Sequence, residues 1–517
     1  MEPVHDLRRW AREKPGEPAL VCGARRLNYG ELESLVNRYA RVFDSLGLAR
    51  GDHVASLCGN RVEALAIGWA AYRCGLYLTP VPTTLAVPEA LYIAQNAQAR
   101  AVLVDVALAA LGGGLKAGLE GRGLHWLSVG GAIPGFDSLD ERARAQDDGP
   151  RPHEPPGALM VYTSGTTGAP KGVWRPLPAE DYRGTPAFAA DLLRLFGLGE
   201  PGVRYLSTAP LYHAAPLRFA LAVTAGGGTA FVMERFDAAT ALDLVAREGI
   251  THSQWVPTMF QRLLELPEAQ RAAFSAPAHR AAVHGAAPCS PALKQRMIDW
   301  WGPILLEYYS GSEGVGLTLI DSHEARRKPG SVGRARKGEI HVLAPDGREL
   351  PVGESGAIYF SGVTPFAYFG APEKTAARTS PQGWQTFGDV GRVDEEGSLY
   401  LDDRLDDMII SGGVNLYPQE IELAIQQVPG VRECAVVGAP DDRFGECPVA
   451  FVVAQRGTDA QALRAAIEAY NRAHLGRLKW PAALHFVDEL PRSATGKVLR
   501  RVLRTRVAPA AEAGEPS

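Results

Sequence analysis

Three things are scarce in this chain of 517 residues. Cysteine occurs six times, at positions 22, 58, 74, 289, 434 and 447, and never as C-x-x-C. Scattered thiols in a chain of this length exclude a disulfide scaffold and a zinc ribbon. They read as reduced core residues, which points to the cytoplasm. Net charge is also small, −4 from 54 Lys and Arg against 58 Asp and Glu, so there is no basic field for nucleic acid. Long apolar runs are the third absence. Met1 is followed by Glu2, Asp6, Arg8 and Arg9, not by the apolar core of a signal peptide. The best candidate for a membrane span, 219–233, falls short of the ~18 residues a span needs and holds three consecutive glycines. Against these absences stands 46% hydrophobic content, enough for several cores, over a length that corresponds to about three units.

The stretch that organises the rest is Thr-Ser-Gly-Thr-Thr-Gly-Ala-Pro-Lys-Gly at 163–172. An apolar run, Ala158-Leu159-Met160-Val161, precedes it and reads as a buried strand. Glycines let backbone N–H groups turn inward around a polyanion; hydroxyls and an ammonium add donors. The composition is therefore phosphate-cradling. It is not a Walker A loop: counted from Gly165, Pro170 stands where the second glycine belongs, and Gly172 follows the lysine.

In its order of residues the loop resembles the signature of the acyl-adenylate-forming enzymes: acyl-CoA synthetases, peptide-synthetase adenylation domains and luciferases. Other segments carry the same resemblance in the family's order. They include Leu27-Asn28-Tyr29-Gly30-Glu31-Leu32, Gly51-Asp52-His53-Val54 and Pro80-Val81-Pro82 near the start. His284-Gly285-Ala286-Ala287-Pro288, Tyr308-Tyr309-Ser310-Gly311-Ser312-Glu313-Gly314 and Gly383-Trp384-Gln385-Thr386-Phe387-Gly388-Asp389 follow. The last three are the arginine segment at Arg404, Ser411-Gly412-Gly413, and Pro491 followed by Gly496-Lys497. Two departures are Gly311-Ser312 for the family's pairing before the glutamate, and Phe387 for a threonine.

The resemblance implies an α/β fold: a large N-terminal domain of α/β subdomains, residues 1–403, plus a small mobile C-terminal α+β domain, 404–517. The residues read independently agree in part. A hairpin turns at Gly23-Ala24-Arg25, a helix follows from Tyr29, a strand at 53–57 and a helix at 64–72, the alternation of a parallel α/β unit. Leu7 to Arg12 reads as a short packed helix. Residues 106–150 read as connectors around a strand at Trp126-Leu127-Ser128-Val129. In the small domain, strands are expected at 434–438 and 449–453 and a helix at 460–474.

The resemblance also distributes roles. Thr163, Ser164, Gly165, Thr166, Thr167, Gly168 and Lys171 would steady the phosphates of ATP, with Thr166 counted among the catalytic residues. Gly285, Ala286 and Ala287 would form the adenine face and Tyr309 would stack on the base. Ser312 would bond phosphate, Glu313 would hold Mg²⁺, and Asp389 would take the ribose hydroxyls beside Arg404. Asp406 would be the hinge. Lys497 would bridge carboxylate and α-phosphate. Gly412 and Gly413 would leave room for the pantetheine arm of coenzyme A, with Arg443 and Phe444 near its nucleotide. His213 would lie beside the acyl carboxylate, in a pocket with Trp255, Val256, Gly311, Val315 and Gly316.

The activity implied is ATP-dependent ligation of a carboxylic acid to coenzyme A through an acyl-adenylate, with ATP, Mg²⁺ and CoA as the small molecules used. Small floor residues favour a fatty, alicyclic, aromatic or steroid-like acid over acetate. Partners are small molecules, with no nucleic acid and no transmembrane segment; a homodimer is the candidate assembly. Two other classes stay open at this point: a free-standing adenylation enzyme that loads a carrier protein, and a nucleotide-binding sensor without catalysis.

Overall fold

The structure, a computed structural model, describes residues 5–163, 170–405, 407–411, 414–441, 443–492 and 498–507. The first layer is a six-stranded sheet. Its strands Asp137–Ser138, His125–Val129, Ala99–Asp105, His53–Leu57, Tyr77–Pro80 and Ala158–Leu159 are all parallel. Helices between them, such as Val62–Arg73 and Val87–Asn96, cover its faces, as parallel pairing requires.

Residues 106–150 hold more than connectors. They form the helix Ala109–Gly118, the strand His125–Val129 and the helix Leu139–Arg144. Glycines at 112 and 114 argue against a helix by propensity alone. Close packing overrides this: a Cβ on Gly112 would stand 2.7 Å from Val104 Cγ1, and one on Gly114 2.7 Å from Val87 Cγ2. The glycines let the helix lie directly on its neighbours.

The second layer is a 13-stranded sheet. Six parallel strands form its centre: Leu305–Tyr309, Ala281–His284, His252–Trp255, Arg204–Ser207, Thr229–Val232 and Pro18–Cys22. The predicted hairpin at Gly23 closes one edge, pairing Pro18–Cys22 with Arg25–Asn28. The helix that follows, Tyr29–Ser45, starts on a capping box between Asn28 and Glu31. The helix Leu7–Glu13 docks through Trp10, whose indole N–H donates to the Ala225 carbonyl at 2.6 Å. The apolar stretch 219–233 divides into the helix Ala214–Gly226, a left-handed turn at Gly227 and the strand Thr229–Val232. No described helix is long and apolar enough to cross a membrane. All six cysteines are free.

The run at 158–161 is not one strand. Ala158–Leu159 pairs with Tyr77–Pro80, whereas Val161–Thr163 pairs with Lys171–Trp174 in a three-stranded antiparallel sheet completed by Ala367–Tyr368. The chain changes sheets at Met160, and the phosphate-type segment 164–169, outside the described residues, connects two paired strands.

The small unit is a five-stranded sheet. The long antiparallel strands Val431–Asp441 and Gly445–Ala454 dominate it, and the helix Ala460–His474 is where the sequence places it. The strand Leu399–Arg404 still belongs to the large sheet, with Arg404 opposite Asp389, and Ile409–Ser411 opens the small one. The changeover therefore falls between Arg404 and Ile409, slightly beyond the expected boundary at 403/404.

Candidate active site

Parallel strands present their ligand sites at their carboxyl ends, where the following loops converge. Tyr309, His284, Trp255 and Ser207 are the last residues of four neighbouring central strands. The loops after them carry Ser312 and Glu313, Gly285 to Ala287, Val256, and His213. Together with the three-stranded sheet and one face of the small unit they enclose a cleft of ≈ 2510 Å³.

At one end of the cleft Asp389 collects two donors. The Tyr309 hydroxyl donates to it at 2.6 Å and Arg404 Nε stands 3.1 Å from its other oxygen. Burial, reinforced by the Asp389 charge, pushes the Tyr309 phenol well up, so it stays a donor. Phe387, in the family's threonine position, turns its ring edge to Tyr309 with centroids 5.4 Å apart and lines the cleft. Thr386 takes over the turn and accepts from the Gly388 N–H at 2.8 Å. Ala286 has φ +68, a conformation that only Gln98 shares among the described non-glycine residues. Backbone held in the left-handed region at a cleft is strain retained for shape.

Lys171 and Glu313 are joined by a residue the sequence reading missed. The strand pairing sets Tyr368 against Val173, so its ring faces Lys171, with Nζ 5.1 Å from the centroid. Its hydroxyl donates to Glu313 Oε1 at 2.9 Å. The ammonium, over the ring, and the carboxylate, at the hydroxyl, thus both meet one phenol. The second Glu313 oxygen has no hydrogen bond among the described residues. No group of three or more His, Cys, Asp or Glu that could hold a metal occurs among the described residues. A Mg²⁺ ion carried by nucleotide phosphates needs only one or two protein carboxylates, and Glu313 fits that need.

Thr163 and Ser312 line the cleft. Ser164, Gly165, Thr166, Thr167, Gly168, Asp406, Gly412, Gly413 and Lys497 lie outside the described residues. Arg492 and Val498, on either side of the lysine's segment, bridge to one another and both line the cleft. Arg443 and Phe444 do not line it. They form a turn in which both backbone N–H groups donate to Asp441 Oδ1 at 2.9 Å, next to Gly445, which pairs with Ser411. Phe444, Ile410 and Val414 are exposed large apolar side chains on this edge.

The expected acyl wall needs correction. His213, Trp255, Val256, Gly311 and Gly316 line the cleft. Val315 does not; it is fully buried in a cluster with Phe360, Phe387 and Val161. Trp255 borders the cleft with little exposed surface: it is 1% exposed, its indole N–H donating to Ser253 at 2.6 Å and its ring packed edge-on to Trp301. Gly311 and Gly316 do not open space. A Cβ at 311 would meet Phe387 at 2.5 Å and one at 316 would meet Phe360 at 2.1 Å. Two large cleft residues have no role in the sequence reading: Tyr308, quoted there only as the start of a motif, and Arg218. Composition around them gives no signal; only the end of the central strand and the first turns of the helix Ala214–Gly226 place them here.

The AMP-binding enzyme family model matches residues 7–367, and that of the AMP-binding enzyme C-terminal domain matches 420–497. A long-chain-fatty-acid–CoA ligase of Mycobacterium tuberculosis is 34% identical over 485 residues, 93% of either chain. A fatty acid–[acyl-carrier-protein] ligase of Streptomyces coeruleorubidus is 32% identical, covering 96% of this chain and 94% of its own. The solved amide bond synthetase of Marinactinospora thermotolerans superimposes with a TM-score of 0.83 at 27% identity, over 97% of this chain and 99% of its own. The chain belongs to the AMP-binding enzyme family.

Proposed function

We propose that the protein is an AMP-forming carboxylic acid–CoA ligase. The observation that carries this reading is one cleft with Lys171, Tyr368 and Glu313 in one group and Tyr309, Asp389 and Arg404 in another, under the flanks of the Lys497 segment. A carboxylate oxygen attacks the α-phosphorus of ATP, the bond to the bridging oxygen breaks, and pyrophosphate leaves. Such a transfer needs alignment and charge neutralisation more than covalent help. Lys171 and the hydroxyl loop would hold the leaving phosphates, Mg²⁺ at Glu313 would neutralise them, and Asp389 would anchor the ribose. Lys497 would bridge the two anions as they meet. The thiol of CoA then attacks the acyl carbonyl and AMP departs. For that step the small domain would turn about Asp406, bringing the edge with Gly412, Gly413, Arg443 and Phe444 to the cleft.

The relatives include an acyl-carrier-protein ligase, and the exposed Phe444, Ile410 and Val414 flank the thiol-side loop, so a carrier-bound thiol is the second reading. Acyl-CoA formed with free CoA decides for the first. The mechanism is tested on Lys497→Ala in two single-turnover assays. Acyl-AMP formation from acid and ATP should fall about 10²–10³-fold, as for loss of one such donor. Thioester formation from preformed acyl-adenylate and CoA should run close to the wild-type rate. Equal losses in both steps would refute it.

A further inference from the structure

Arg218 is a cation that the described protein does not neutralise. It lies on the helix Ala214–Gly226, five residues after His213, and lines the cleft. Among the described residues it makes no hydrogen bond and no ion pair. Phe219 follows it on the helix, and Tyr308, whose ring lies 5.7 Å from Phe196 and 6.1 Å from Phe219, centroid to centroid, lines the same cleft. Gln254 donates to the Tyr308 hydroxyl at 3.4 Å, so this wall has neutral donors and acceptors but no acid.

The nearest charged side chains do not supply a counter-ion. Arg175 also lines the cleft and donates to backbone carbonyls, those of Glu313 and, at 3.5 Å, Thr364. Burial and the Arg218 charge together draw Arg175 down to about 10, and burial draws Arg218 down as well, with Glu313 the only carboxylate that acts on either. That carboxylate is tied to Tyr368 and belongs to the phosphate end. Other ion pairs of the cleft, among them Lys337 with Asp191 at 2.7 Å, Lys294 with Glu307 and Arg404 with Asp389, are already closed on themselves, and Glu89 and Glu265, which line it too, are exposed. Arg218 and Arg175 are both partly exposed in the open cleft, and a guanidinium held partly out of water gains from an anion and from acceptors. A ligand that carries an anion would supply them.

The carboxylate to be activated is not that anion. It has to reach the Lys497 segment and the phosphate loop, beside His213 at the helix start. Arg218 lies five residues along the helix, about 7.5 Å of axial rise. We infer that Arg218 determines acid specificity, and that the acid carries a second anionic group, carboxylate or sulfonate, at the end remote from the activated carboxylate. Arginine suits this role because its planar fork takes a carboxylate with two parallel hydrogen bonds. The inference rests on the ligase reading and replaces the apolar acid expected from the glycines at 311 and 316.

The test compares kcat/KM for acyl-CoA formation on α,ω-dicarboxylic acids of four to ten carbons with monocarboxylic acids of equal length, adipate against hexanoate for example. ω-Sulfonated acids form a third arm that separates carboxylate from sulfonate recognition. Wild type should prefer a dianionic acid by about 10–100-fold, the range of a hydrogen bond to a charged group. In Arg218→Met that ratio should collapse to near one, chiefly through KM, while Arg218→Lys keeps part of it. Arg218→Met should also melt no lower than wild type, since it removes an unpaired cation; a structural arginine would lower Tm. A wild type that makes acyl-CoA equally well from monoanionic acids overturns the inference and leaves the ligase reading standing. An unchanged ratio in Arg218→Met overturns it too. Absence of pyrophosphate release with every acid overturns the ligase reading, and this inference with it.

Discussion

Asp403 is an acid that the fold holds at a cost to stability. It is 5% exposed and accepts from the backbone N–H of Arg404 at 2.6 Å and of Gln419 at 2.8 Å. Gln419 lies in the first turn of the small unit's helix Pro418–Ile425, so this carboxylate ties the two units together. Burial dominates its titration and raises it from 3.8 to about 6, against the pull of Arg500 and the two N–H donors and with some help from Glu422. The native state therefore binds more protons than the unfolded chain between those values. Stability linked to Asp403 is fully present below pH 3.8 and is lost as pH rises through about 6. At 1.36 kcal/mol per decade the charged, buried form costs about 3 kcal/mol at pH 7. Asp403→Asn keeps an acceptor for Gln419 and removes the charge. Weaker hydrogen bonds return about 1–1.5 kcal/mol of the gain, leaving roughly 1–2 kcal/mol of net stabilisation at pH 7.5. Calorimetric melting of variant and wild type, at pH 7.5 and at pH 5, reads the difference. The advantage of the variant should shrink at pH 5, where wild-type Asp403 is protonated. A variant less stable at pH 7.5 than at pH 5, relative to wild type, would mean that the charge is used in a pair with Arg500, and the reasoning would fall.

Tyr368→Phe should release Glu313 and raise the Mg²⁺ concentration for half-maximal adenylation about tenfold, as loss of a ligand-orienting partner does, with melting temperature as control. Lys294→Ala should leave Glu307, which burial already raises, alone in the interior; denaturant unfolding should show a loss of about 3 kcal/mol at pH 8 that shrinks as pH falls and Glu307 takes a proton. A loss independent of pH would show that Lys294 acts through packing. Gly316→Ala drives a Cβ into the Phe360 ring, so unfolding should show an overpacking cost of about 1–3 kcal/mol without any change in acid preference.

Much of the fold is legible because single residues announce it. Asn28 and Glu31 mark the start of the helix Tyr29–Ser45, and Gly23 with Ala24 marks the hairpin before it. The helix Ala109–Gly118 is hidden for a physical reason. Its glycines satisfy Val104 and Val87, which lie on other elements, and local propensity does not register contacts between elements. The change of sheet at Met160 is hidden in the same way, since both halves of the run are apolar and only their pairing partners differ.

The nucleotide end of the cleft is legible because ATP is constant: a fixed polyanion, base and ribose demand fixed residue types at fixed order. The acyl end is different. Small residues at 311 and 316 look like space until the structure shows that Phe387 and Phe360 occupy it. Val315 looks like a pocket wall until its side chain proves to be sealed beneath the loop. Arg218 carries no motif and Tyr308 only begins one, and their consequence depends on what surrounds them. An arginine on a helix is ordinarily a solvated or paired side chain, and nothing along the chain distinguishes Arg218 from the others. What distinguishes it is that the fold turns it into a cleft beside Tyr308 and sets a second guanidinium, Arg175, on the same cleft. Specificity written as a missing counter-ion is a relation between distant residues and a ligand, and it becomes visible only when the neighbours are placed.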